Sequence, residues 1–432
     1  MSHSLFLNSP SGFRPLCQFC RFCQWLGEIS LIAACFFLPW SVALMNVATL
    51  LMAFCWLISG RLWQLPKILR QSPSATLAIA LFLLLAASLA YTSATAVDGL
   101  DIVSKYRKLL YLPIVLSMAN GAPVLRRRAI DAFLWGCCLL LLVSYFKWAT
   151  ALLGTNMFID RHGFSLVLHI THSFFMAVFI FFLIERAITE KGLSGRWRWA
   201  LFIFAALAWF NLFYITPGRT GWGLCLALIA FIFIRRRSWR WLLAGLVILT
   251  ALTVIIWQSS SIVSVRSWDL IHETEDYQPG ASRTSMGMRY DLWHNAVSLF
   301  AESPWLGKGV GSFRGEQRKL IERLHQPTAL FDNPHNEYLL LAEQTGIVGL
   351  LLFLALLVVP RLEAAKHGLP PDDCRLIEGL ALAMALGCIV NSFLFDSQQG
   401  HFFILMMALL LARDGAVANE EGRVIGGSEF LT

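Results

Sequence analysis

A chain of 432 residues that is 57% hydrophobic and only 14% charged is too apolar to be a water-soluble protein. Its net charge of +8 comes from short basic clusters set between apolar runs, the distribution that membrane topology imposes, and this argues against nucleic acid as a partner. Ten cysteines occur, yet none lies between Gln258 and Pro334, so no disulfide framework holds the one long hydrophilic stretch.

The amino-terminal segment is polar and lacks an A-x-A cleavage site, which is not the pattern of a removable signal. Cys17, Cys20 and Cys23 form a C-x2-C-x2-C run without a fourth ligand nearby, readable as an incomplete metal site or as unpaired thiols ahead of the first span. Apolar runs then predict about twelve helical spans, near 25–41, 43–60, 74–92, 107–119, 129–152, 164–186, 198–216, 220–235, 239–257, 337–359, 376–394 and 400–413. With the amino terminus inside, every predicted cytoplasmic segment is basic, for example Arg126 to Arg128, Arg235 to Arg237 and Arg361 with Lys366 and Arg375. The exceptions on the other side are Lys105, Arg107, Lys108, Arg161 and Arg219. The expected architecture is therefore all-α and polytopic: spans one to nine over 1–257, an outward loop over 258–336, spans ten to twelve over 337–413, and a cytoplasmic tail over 414–432. Within that tail, Gly426 to Thr432 resembles a linker scar. No internal repeat divides the spans into halves, which argues against a transporter built that way.

Within the loop, Ser285 to Glu302 predicts an amphipathic helix with a stripe at Trp293, Ala296, Val297 and Phe300, and Gln317 to Leu324 a second short helix. Gly307, Gly309 and Gly311 read as a flexible turn or as a phosphate loop. Asn333 suits an N-cap and Pro334 the first helical position, which would put His335 in the first turn at the membrane surface. There it either takes a proton from a hydroxyl or merely binds a headgroup. Glu343, two turns deeper, is a functional carboxylate or one satisfied by an arginine from another span. Leu339, Ala342, Gly346 and Gly349 form a small-residue stripe for close helix approach.

Arg289 offers a fork of donors suited to pyrophosphate, or is an ordinary solvated base. Arg219, in Thr216-Pro217-Gly218-Arg219-Thr220-Gly221, adds a charge that a tight turn does not need. Lys105 and Arg107 begin the fourth span, and Lys147 reads as a snorkelling side chain. His169 and His172 lack a carboxylate partner, so no metal pair is expected there. No D-x-D occurs, which leaves metal-held nucleotide-sugar chemistry without support.

Together these residues resemble the O-antigen ligase and polymerase superfamily of bacterial envelope glycosyltransferases. The likeness rests on Arg289, on Pro304 to Gly309, on Pro334-His335-Asn336 followed by Gly346, on Arg219, on Lys105-Tyr106-Arg107, and on Asn391 to Asp396. It implies a GT-C-like enzyme of the bacterial inner membrane with its site facing the periplasm and both termini cytoplasmic. The implied reaction is metal- and cofactor-independent transfer of a glycan from undecaprenyl pyrophosphate to lipid A–core oligosaccharide. His335, Arg289 and Arg219 would be catalytic, Lys105 and Arg107 would join both arginines on the phosphates, and Asn336, Glu343 and Asp396 would support them. A polymerase, a protein O-oligosaccharyltransferase and, from another class, a lipid-linked glycan transporter are the competing expectations.

Overall fold

The computed structural model describes residues 14–155, 159, 162–280, 284–325 and 329–414. Arg161, the segment before Arg14, the side chains of Arg14 and Cys17, and the tail from 415 onward carry expectations that lie outside the described residues. What is described is helical, with no extended strand. Long apolar segments favour this solution because a helix closes its backbone hydrogen bonds within itself.

The helices are α1 (Arg14–Phe37), α2 (Val42–Ile58), α3 (Leu65–Gln71), α4 (Pro73–Ala87), α5 (Ala96–Tyr106), α6 (Tyr111–Ala119), α7 (Pro123–Leu152), α8 (His169–Thr189), α9 (Gly195–Phe210), α10 (Arg219–Arg235) and α11 (Trp239–Ser259). They continue as α12 (Ser261–Glu275), α13 (Ser285–Glu302), α14 (Phe313–Leu324), α15 (Glu337–Lys366), α16 (Pro371–Val390) and α17 (Ser397–Leu411). Their starts are chemically marked. Ser41, Ser72, Thr95, Ser260, Thr284 and Asn336 each accept a first-turn N–H, which satisfies donors that helix geometry leaves free.

Among the described residues seven helices are long and apolar enough to cross a membrane, and the count rises to eight if α2 and the segment Arg61–Gln71, bent by 86° from it, form one broken span. The four other predicted spans coincide with α6, α10, α16 and α17, which are helical but fall short in length or apolarity. Helix α17 runs through the middle of the bundle with every residue from Gln398 to Leu411 buried. Phe402 there meets Phe133, Phe174 and Phe175 at ring-centroid distances of 4.9, 5.7 and 5.6 Å. Such pairs contribute about 0.5–1.5 kcal/mol each beyond simple burial. Helix α11 is the opposite case, with only Gly245 and Ile256 buried.

The basic helix ends that the alternation predicts on one side are joined by ion pairs: Arg126 with Asp373, Arg127 with Glu190 (3.1 Å), Arg186 with Asp131 (2.5 Å), and Arg235 with Glu378 (2.6 Å). Because α10 ends at Arg235 and α16 begins near Asp373, their other ends, at Arg219 and Asn391, lie at the opposite end of the bundle. Lys147 is buried and donates to the Ser165 carbonyl (2.9 Å), so it does not snorkel as expected.

Three sequence expectations for the segment after α13 need correction. Gly346 does not lie in a regular helical stripe, because its φ of 65° and ψ of −163° kink α15. The glycine run packs into that kink: Lys308 N–H donates to the Glu343 carbonyl (2.7 Å), Gly309 N–H to that of Gln344 (2.9 Å), and Ile347 N–H to that of Pro304 (2.9 Å). With Val310 N–H also taken by Ser88 Oγ (3.0 Å), this is neither a flexible turn nor a phosphate cradle. Buried Glu343 accepts from Ser312 Oγ (2.8 Å) instead of pairing with an arginine. On α13 the packed face is Leu292, Ala296 and Leu299, while Val297 is exposed.

A Cβ at Gly346 would fall on the Trp305 carbonyl in a backbone region that disfavours any side chain. Gly346→Ala is therefore expected to destabilise the fold by about 1–3 kcal/mol or more. Gly315→Ala, in open space on α14, serves as the neutral control. Thermal unfolding of the two purified variants in detergent checks this; equal midpoints would remove the clamp from the account.

Candidate functional site

Helix α10 starts abruptly. Gly218 and Gly221 abut Ser173 of α8, where a Cβ on either would clash, and this contact fixes the helix start against its neighbour. Arg219 is consequently the first residue of α10. A cation at a helix amino terminus opposes the helix dipole, so the position favours an anion nearby. Arg289 sits in the second turn of α13, whose N-cap is Thr284. Burial, and then the neighbouring Arg219 charge, lower its guanidinium from the usual value, while Glu273 pulls the other way.

Glu273, which the sequence reading passed over, is the resident counter-charge. One carboxylate oxygen lies 3.5 Å from Arg219 Nη2, and the other accepts the Met286 N–H in the first turn of α13 (2.9 Å). Glu273 stands beside Glu275 and Asp276 in the long loop, and nothing in their spacing singles it out, so only its position in space reveals it. Arg219 Nη1 and Arg289 Nε remain buried without a partner among the described residues. The Arg219 and Glu273 side chains keep 23% and 15% of their surface, so the pair is reachable from solvent.

His335 joins this group through a different backbone than expected. The N-cap of α15 is Asn336, whose Oδ1 accepts from Leu339 N–H (3.0 Å), so Asn333 and Pro334 precede the helix instead of opening it. His335 holds a φ of 51°, and its N–H donates to Asn333 Oδ1 (2.9 Å). A side-chain-bearing residue in the left-handed region costs on the order of 1 kcal/mol, and such strain concentrates at functional positions. The ring packs edge-on to Phe331 at 5.8 Å. Burial first and the Arg289 charge second hold its pKa below the ordinary 6.5, so it is neutral at neutral pH and free to accept a proton.

His169, at the start of α8, lies within electrostatic reach of Arg219, Arg266 and Arg289. His172 is buried and bonds instead with Asn211 Oδ1 (2.8 Å).

The remaining candidates form a second group. Lys105 pairs with Asp101 (3.1 Å) and lies over the Phe395 ring (4.6 Å). Arg107 donates to Asn46 Oδ1 (2.7 Å) and the Ser104 carbonyl (2.8 Å). Neither shares a bond or ion pair with Arg219, Arg289 or His335 among the described residues. Asp396, its carboxyl raised by burial to about 6 against the pull of Lys108 and Lys105, sits before α17. Its carbonyl, with those of Leu394 and Phe395, accepts from Lys108 Nζ. Asn336 Nδ2 donates to the Ile389 carbonyl (2.9 Å), a structural tie to the end of α16. Glu343 belongs to the glycine clamp.

The fold and these side chains define a multi-pass helical membrane protein with two neighbouring arginines, a half-buried histidine and a carboxylate paired to one of the arginines. Residues 203–354, roughly a third of the chain, match the family model for the O-antigen ligase domain, and that stretch contains Arg219, Glu273, Arg289 and His335. An uncharacterized protein of Haemophilus influenzae is 29% identical over 79 residues, which is 18% of this chain and 20% of that protein. The matched part thus spans only a fifth of that relative.

The Glu273 geometry has a consequence for any anion that binds the arginines. Glu273→Gln removes the competing charge but keeps the side-chain size, and roughly three- to tenfold tighter binding of inorganic pyrophosphate is expected. Calorimetric titration of the wild-type and variant proteins in detergent measures it; unchanged or weaker affinity would show that Glu273 does not compete for the site.

Proposed function

We propose that the protein transfers an O-antigen glycan from undecaprenyl pyrophosphate to a sugar hydroxyl of lipid A–core oligosaccharide, as an O-antigen ligase of lipopolysaccharide biosynthesis. The observation that carries this reading is that Arg289 lies within electrostatic reach of Arg219, Glu273 and His335, with Glu273 paired to Arg219. The family match over the same segment supports it. In this reading all twelve predicted segments cross the bacterial inner membrane, the ion-paired basic end is cytoplasmic, and the Arg219 end faces the periplasm.

The reaction is a single displacement. The acceptor oxygen bonds to the anomeric carbon as the bond to the pyrophosphate oxygen breaks, and the hydroxyl proton passes to His335. Arg219 and Arg289 hold the charge that develops on the leaving pyrophosphate, with Glu273 giving up Arg219 as the donor arrives. An in-line displacement without a covalent intermediate inverts the anomeric centre. A preformed positive field at the leaving group supplies the stabilisation this step needs, and the donor's own pyrophosphate linkage supplies the driving force.

Arg219→Ala and Arg289→Ala are each expected to lower transfer at least about a hundredfold while leaving expression and membrane insertion intact. The readout is transfer by purified protein from lipid-linked glycan to lipid A–core in detergent, where no gradient exists; wild-type rates in either variant would remove the pyrophosphate role. Product formed under these conditions also separates an enzyme from a transporter. Activity is expected to persist in excess EDTA.

The pH dependence follows from His335. Because its pKa lies below 6.5, the base form persists to mildly acidic pH, and the acid limb of the rate profile is expected below that value. His335→Ala should lose the limb together with most of the rate. A variant as active as wild type across about pH 6 to 9 would exclude His335 as the base. In the source bacterium, deletion followed by gel analysis of lipopolysaccharide distinguishes the related activities. Bare core with unligated carrier-linked polymer is the ligase outcome, and core bearing a single unit is the polymerase outcome.

A further inference from the structure

A cleft opens between α5 and α14, with a volume of about 500 Å³. Its charged lining comes from Asp98, Asp101 and Lys105 on α5, Arg314 and Arg318 on α14, and Asp332 on the segment returning to α15. Three carboxylates and three cations line it, so the cleft has no net sign with which to hold a pyrophosphate or a metal ion. What it offers is a dense mixture of fixed acceptors and donors. That pattern complements a polyhydroxylated ligand, whose hydroxyls donate and accept at once.

Most of these groups are paired with one another or with a neighbouring hydroxyl. Lys105 pairs with Asp101 (3.1 Å), Arg314 with Asp332 (2.8 Å), and Thr95 Oγ1 donates to Asp98 Oδ2 (2.7 Å). Arg318 has no hydrogen bond or ion pair among the described residues and is exposed at the rim. The cleft floor is rigid, because Gly311 sits so close to Gly99 of α5 that a Cβ would crowd its backbone.

The cleft and His335 share one segment of chain. Asp332 lies three residues before His335, and Phe331 beside it packs edge-on against the His335 ring. From the other side, Lys105 lies over Phe395, whose N–H donates to Glu337 at the start of α15. The return segment thus carries a cleft wall at Asp332 and the histidine at its end, while Arg289 of α13 lies within electrostatic reach of that histidine.

We propose that this cleft is the subsite for the acceptor's sugar residues, which seat between α5 and α14 through their hydroxyls with the reacting hydroxyl toward His335. The inference rests on the transfer reaction proposed above and assigns the acceptor a place separate from the pyrophosphate. Asp98 and Arg318 recognise the sugar, and their loss weakens its binding without touching the leaving group.

The experiment compares full-length wild type with Asp98→Asn/Arg318→Ala in detergent, using lipid-linked glycan and lipid A–core. The double variant is expected to raise the KM for the acceptor roughly tenfold, with kcat and the KM for the donor changed less than about twofold. An unchanged acceptor KM, or a donor KM that rises in parallel, would overturn the subsite. A binding titration with soluble core oligosaccharide released from lipid A runs alongside. If wild type binds the oligosaccharide and the double variant does not, the cleft is supported even where no transfer is detected, and only the proposed reaction fails. If both bind equally, or neither binds, the cleft is not the acceptor site.

Discussion

A carboxylate buried at the start of α15 ties together the parts on which the site depends. Glu337 accepts from the Tyr106 hydroxyl (2.8 Å) and from the Phe395 N–H (2.9 Å), joining the end of α5, α15 and the turn between α16 and α17. The same turn is held from its other side by Lys108, whose Nζ donates to the successive carbonyls of Leu394, Phe395 and Asp396. At its start, Asn391 donates to Thr220 beside Arg219, and Ser392 donates to Asn333 beside His335. Arg219 and His335 are thus hung from one short non-helical segment. Buried polar groups of this kind are costly unless paired, and complete pairing makes the segment rigid.

Around that frame the electrostatics are arranged against local helix preference. Arg219 occupies the positive end of α10, and Arg289 lies near the corresponding end of α13. Glu273 relieves part of this repulsion by bridging Arg219 and the α13 backbone, yet leaves donors on both arginines unpaired. Such an arrangement is poor for stability and well matched to an incoming anion. At the opposite end of the bundle Arg126, Arg127, Arg186 and Arg235 are matched with Asp373, Glu190, Asp131 and Glu378. A single helix such as α10 therefore runs from a cation short of partners at Arg219 to a paired one at Arg235.

How much was legible in the sequence differs from residue to residue. Arg219, Arg289 and His335 stand out because each interrupts an apolar or amphipathic pattern with a charge or ring that packing does not require, and the fold brings the three together. Lys105 and Arg107 stand out for the same reason but find partners in Asp101 and Asn46, which a linear reading cannot anticipate. In sequence the glycine run reads as a flexible turn or a phosphate loop. Its N–H groups are instead used against the kink in α15, a pairing between segments some forty residues apart that leaves no periodic trace.

The sequence by itself determined that the chain is helical and membrane-embedded, and which helix ends gather together. These follow from hydrophobic length and from charge placed between runs, both local quantities. Only the tertiary structure decided that α15 begins after His335, that Gly346 breaks the helix, and that Glu273 answers Arg219. Each of these depends on contacts between segments far apart in the chain. A backbone or side chain takes up the conformation that satisfies such partners, and local propensity yields where burial makes an unpaired polar group more costly than a strained one.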